Sequence, residues 1–209
     1  MLYFVFSNVN SITLLLWSVF LVFTILFYLR PFWFKRISYT RLIIVAFLLQ
    51  VFFGAGITWG QYYVWSHNEF TKTLLLLPLP NEVSLPSVLT WAQHYFYQPF
   101  GYFLYYSLWH FWLSIVLVCV SALIFYLFLK VWQFYRGGFL PNGPEIIVLL
   151  MLLVGWPGTL VLIPLGFVFS LATALFHYWK GQGHIYIETS FIMAAPIALW
   201  FSHIIFYYL

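Results

Sequence analysis

The chain has 209 residues, of which 65% are hydrophobic and 6% charged. A soluble domain carries about a quarter charged residues, so composition and a mean hydropathy of +0.98 exclude an ordinary soluble fold. Its 8 basic and 4 acidic side chains leave a net charge of +4, and no aspartate is present. Cations spread thinly over a membrane chain report orientation rather than a nucleic-acid surface, so no nucleic-acid partner is expected.

The first apolar run, residues 11–29, has the length of a membrane helix. No basic stretch precedes it in residues 1–10, so it reads as a retained first helix and not a signal peptide. It stops at Arg30 and Pro31, and a basic collar of Arg30, Lys35, Arg36 and Arg41 follows. The second helix is expected over 42–59. Gly54, Gly56 and Gly60 loosen its end, and Trp59, Tyr62, Tyr63 and Trp65 suit an interfacial belt.

Residues 67–100 change in character. They hold Pro78, Pro80, Pro86 and Pro99, two of the glutamates (Glu69 and Glu82) and Lys72. This pattern predicts an outer loop lying partly on the bilayer surface, with an interfacial helix near 91–97. A third span, 103–129, is long enough to cross with tilt and ends at Lys130, with Arg136 soon after. It carries Cys119, the chain's single cysteine, which excludes an internal disulfide and reads as a small apolar side chain.

After a Gly/Pro-rich loop at 137–144, residues 146–176 are apolar throughout, about 46 Å as a straight helix. That is long for one span and short for two. Gly155, Trp156, Pro157 and Gly158 interrupt it, which predicts a broken or re-entrant hairpin with helices at 146–155 and 159–178. A turn at 180–184 leads to the last helix, 185–208. The fold class expected is an all-α polytopic membrane bundle of about six membrane segments, forming a single domain.

If these segments alternate, the collar cations, Lys130, Arg136 and Lys180 fall on one side, and Lys72 falls on the other with Glu69 and Glu82. The positive-inside rule then puts both termini outside, in a bacterial-type inner membrane.

Ionisable groups at membrane depth are the first candidates for chemistry. Glu145 and Glu188 open two helices, where exposed N–H groups and the helix dipole favour a carboxylate by about 0.3–1 kcal/mol. The sharper reading makes them a facing pair that shares a proton or binds a cation. His110 and His203 could ligate haem iron or another metal if they faced each other. The simpler reading hydrogen-bonds each within the bundle, and Trp109, Phe111 and Trp112 crowd His110. His67, His94, His177 and His184 fall near interfaces. Gln50 is a deep polar side chain suited to bridging helices. No phosphate loop, zinc motif, nucleophile elbow or dinucleotide fingerprint is present, and no cofactor is expected. Aromatic residues make up 25% of the chain. Trp33, Trp59, Trp65, Trp91, Trp132 and Trp179 sit near helix ends, as belts do.

Gly143, Pro144 and Glu145 open an apolar helix that meets Gly155, Trp156, Pro157 and Gly158, and a late segment at 190–196 is rich in small residues and contains Pro196. This C-terminal third resembles the type IV prepilin peptidases, a family of membrane aspartyl peptidases. The resemblance places Glu145 where that family has its second catalytic aspartate, at the cytoplasmic start of a helix. Pro144 replaces the glycine before it, the first catalytic aspartate has no counterpart, and the family's cysteine-rich loop is missing. Two carboxylates sharing a proton are needed to activate water. The resemblance therefore implies an inactive relative, or a divergent peptidase using Glu145 and Glu188. The expected function is a non-catalytic, structural or accessory component of a membrane complex, with lipid and other membrane subunits as partners. A small transporter or a haem- or metal-binding protein is a further alternative.

Overall fold

The structure, a computed structural model, describes residues 9–34, 37–80, 82–136, 140–180 and 186–208. Lys35, Arg36, residues 137–139 and residues 181–185, which hold most of the turn expected at 180–184 and His184, lie outside the described residues. The helices are α1 (Val9–Leu29), α2 (Tyr39–His67), α3 (Glu69–Leu76), α4 (Gln93–Phe96), α5 (Gly101–Ser107), α6 (Leu113–Arg136), α7 (Gly143–Val154), α8 (Gly158–Lys180) and α9 (Ile187–Tyr208). A π turn, Leu108–Trp112, joins α5 to α6. No strand occurs among the described residues. Five helical stretches are long and apolar enough to cross a membrane: Ser11–Leu29, Tyr39–His67, Gly101–Tyr135, Thr159–Lys180 and Ile187–Ile204. The protein is thus an all-α, multi-pass membrane helix bundle.

Two compact units divide the chain. One comprises residues up to Leu49 and from Val116 onward, and the other is Gln50–Ile115. The core of the first unit is α7. All of its residues except Glu145 are buried, as expected of a helix that is apolar on every face. Its 12 residues give about 18 Å of helix, too short to cross the roughly 30 Å hydrocarbon core. The chain turns at Gly155, whose φ of 69° favours a residue without Cβ, and a cis Trp156–Pro157 bond follows.

Local contacts fix the direction of each limb. A Cβ at Gly158 would meet Ser202 at 2.8 Å, and one at Gly166 would meet the Phe191 ring at 2.6 Å. Near the other end of α8, the Thr173 and Ser190 hydroxyls lie 3.2 Å apart. Numbers fall along α8 as they rise along α9, so the two are antiparallel. At the start of α7, Leu140 binds Glu188; at its end, Val154 lies beside Gly158. Hence α7 enters alongside α9, stops short, and α8 carries the chain back, as the short limb of a re-entrant hairpin. Irregular backbone at membrane depth survives where protein surrounds it and its polar groups are paired. Here the N–H groups of Gly155, Thr159 and Leu160 bind the carbonyls of Met151, Gly155 and Pro157 at 2.9–3.0 Å. Small residues on α9 (Ala194, Ala195 and Ala198), all fully buried, let the helices approach closely.

The second unit includes α2 from Gln50 to its end. This helix continues to His67, past the expected end at 59. Its glycines lie inside the helix, where each costs up to about 1 kcal/mol relative to alanine. Tertiary packing offsets the cost at Gly54: a Cβ there would lie 2.6 Å from Ile115. Thr58 hydroxyl donates to the Gly54 carbonyl at 2.8 Å and accepts the Trp112 indole N–H at 3.1 Å. Residues 68–80 and 82–100 include short helices over a small core of Leu79, Ala92 and Phe96.

Candidate functional site

Several polar side chains of the first unit gather where α1, α6 and α8 end and α7 and α9 begin. Each arrives there for a local reason. Tyr28 is one residue from the end of α1. Tyr126, Lys130 and Gln133 follow the helical repeat down one side of α6. Glu145 and Glu188 occupy first turns, where the dipole favours acids.

Glu188 is fully buried. Its Oε1 accepts the Leu140 N–H at 3.0 Å. The Leu140 carbonyl in turn accepts from Gln133 Nε2 at 3.1 Å. One residue of the α6–α7 connection is therefore gripped through both of its flanking peptides, by α9 at its N–H and by α6 at its carbonyl. Beside Glu188 in sequence, Thr189 pairs with the Tyr28 hydroxyl at 2.8 Å, which ties α1 to the start of α9. Tyr28 and Tyr39 both lie within electrostatic reach of Glu188.

Glu145 has a different partner. Lys130 Nζ is 2.8 Å from its Oε1, and the Tyr126 hydroxyl donates to the same oxygen over a longer 3.4 Å. Lys130 also sits 5.5 Å from the centre of the Tyr126 ring, within cation–π range. An ionised pair this close to apolar surroundings holds only with good geometry and further hydrogen bonds, and Tyr126 supplies both a bond and a ring. Glu145 Oε2 and Glu188 Oε2 are buried with no hydrogen-bond partner among the described residues.

Each acid thus spends one oxygen on holding helix ends together and keeps one spare. The structure puts Glu145 and Glu188 at the same end of one unit, and gives Glu145 an ion pair and Glu188 a backbone N–H. His110 and His203 fall in different units. His110 belongs to the second unit, where it is exposed, stacks on Tyr106 at 4.0 Å and places Nδ1 2.9 Å from the Tyr106 carbonyl. His203 belongs to the first unit, half-buried on α9. Gln50 is buried on α2. Among the described residues, no group of three or more His, Cys, Asp or Glu side chains is placed to hold a metal ion.

Reasoning from sequence missed Tyr28, Tyr126, Gln133 and Thr189, and treated Lys130 only as a marker of sidedness. The available signal was spacing: Tyr126, Lys130 and Gln133 fall at intervals of four and three residues, one polar stripe on an otherwise apolar helix. No protein family, curated protein or solved structure matches this chain.

Proposed function

We propose that this protein is a non-catalytic structural or accessory component of a membrane complex. The observation that carries this reading is how its acids are used. Glu145 pairs with Lys130, and Glu188 grips the Leu140 peptide, so both act as fasteners between helix ends. The α7 helix, buried except at Glu145, gives a rigid centre against which those ends are fixed. Arg30, Arg41, Lys130 and Lys180 lie at the ends of helices that meet there. By the positive-inside rule this supports a cytoplasmic face and both termini outside, in a bacterial-type inner membrane.

Purification from the native membrane in mild detergent, followed by mass spectrometry, tests the reading. A stoichiometric membrane-protein partner is expected. A protein that purifies alone across several mild detergents would overturn it.

One observation favours a second reading, a divergent relative of the prepilin peptidases. Glu145 and Glu188 open helices at the same end, and each keeps an unpartnered oxygen. Spin labels on Glu145→Cys and Glu188→Cys in a Cys119→Ser background would report their separation. Side chains that approach within about 6 Å could share a proton; a wider gap removes this reading.

A further inference from the structure

The segment between α2 and α5 has an apolar surface that its own fold does not use. It is not a loose connection. The Leu79 N–H donates to the Phe96 carbonyl at 2.9 Å, and the Tyr102 N–H to the Leu77 carbonyl at 3.2 Å. A Cβ at Gly101 would collide with the Phe96 carbonyl, so the segment seats directly against the start of α5. Leu75, Leu79, Ala92 and Phe96 are buried. Yet its most exposed large hydrophobic side chains are Phe70 (80%), Trp91 (80%) and Val88 (75%). The segment has many Ser, Thr, Asn and Gln residues that could cover a water-facing surface.

The chain itself says what lies next to this surface. α2, a membrane-crossing helix, ends at His67 and α3 begins at Glu69; α4 ends at Phe96 and another crossing helix begins at Gly101. The segment is therefore held at both ends where spans emerge, which keeps its exposed apolar side chains close to the spans in sequence. Its charges are Glu69, Glu82 and Lys72, a net of about −1, so attraction to anionic headgroups does not hold it. Trp91 and Tyr95 have the ring-plus-polar-tip character that favours the headgroup level.

We propose that residues 68–100 form a folded platform on the bilayer surface, with Phe70, Val88 and Trp91 inserted at the headgroup–acyl boundary by apolar contact and without electrostatic capture. This holds whether or not the protein is an accessory subunit.

The test uses the full chain with Cys119→Ser in phosphatidylcholine liposomes. A fluorophore is placed in turn on Phe70→Cys, Val88→Cys, Trp91→Cys and, as a control, Glu82→Cys. Lipid nitroxides are expected to quench the first three several-fold more than aqueous iodide does, with the order reversed at Glu82→Cys. Added anionic lipid or salt should leave the pattern unchanged. Iodide quenching all four alike would overturn the proposal. So would protection of the three sites from both quenchers, which would mean that a protein covers the face. Because a labelled variant could misfold, the unmodified chain is also photolabelled with a carbene-generating lipid. Peptides holding Phe70 and Trp91 should carry the label, and unlabelled peptides would contradict the proposal.

Discussion

The two units stabilise themselves by different means. The first buries a helix on all sides, packs alanines and glycines where helices cross, and collects its acids, Lys130 and several hydroxyls at one end. The second buries little, and relies on aromatic contacts such as Trp65 with Tyr102, Phe103 and Tyr106 and on side-chain bridges between helices such as Trp112 to Thr58 and Thr71 to the Trp65 carbonyl. Lipid tails are as apolar as leucine, so burial alone does not drive membrane helices together; close packing and polar bridges do. The first unit has both. The second leans on rings and has no helix buried on every side among the described residues, so it should be the less resistant of the two.

That contrast can be broken at several points. The largest effect is expected from Phe191→Ala. The ring is fully buried, lies over Gly166 and packs on Phe125 and Phe167. Its loss should cost about 3–5 kcal/mol, read as a lower melting temperature in detergent.

Next comes the ion pair. Lys130→Met leaves Glu145 without its cation and should cost about 1–2 kcal/mol, discounted because Lys130 keeps 36% of its side chain exposed. Adding Glu145→Leu to that variant should recover most of the loss, since removing both charges leaves nothing uncompensated. A double variant no better than the single would show that the pair is not what holds α6 to α7.

The smallest effect belongs to the second unit. Trp112→Phe keeps the ring and removes the bond to Thr58, and should cost about 0.6–2 kcal/mol. Hydrogen exchange should localise the loss to residues 50–115. A change of similar size in α7 would contradict the division into two units.

Much of the fold was legible because hydropathy and helix breakers are local signals. The interruption at residues 155–158 could be read from a run too long for one span and broken by two glycines and a proline. The extension of α2 was not legible, because Gly54 is compensated by Ile115 and Trp112 from a segment about 60 residues away. The site was legible in its acids and opaque in their partners. Glu145 and Glu188 look alike in sequence, each an acid opening an apolar helix. Their difference, an ion pair for one and full burial against a backbone N–H for the other, comes from which segment packs beside them.

The central claim is that the acids fasten the bundle and do no chemistry. Replacing the wild-type protein with Glu188→Gln tests it most directly, alongside Glu188→Leu. A glutamine oxygen can still accept the Leu140 N–H. Leucine leaves that N–H unpaired, at a cost of about 1–3 kcal/mol. The account predicts that Glu188→Gln keeps normal abundance, melting temperature and co-purifying partner, while Glu188→Leu lowers all three together. Glu188→Gln protein at normal abundance in cells that behave like a deletion would contradict it, and would give the carboxyl a role beyond holding the fold.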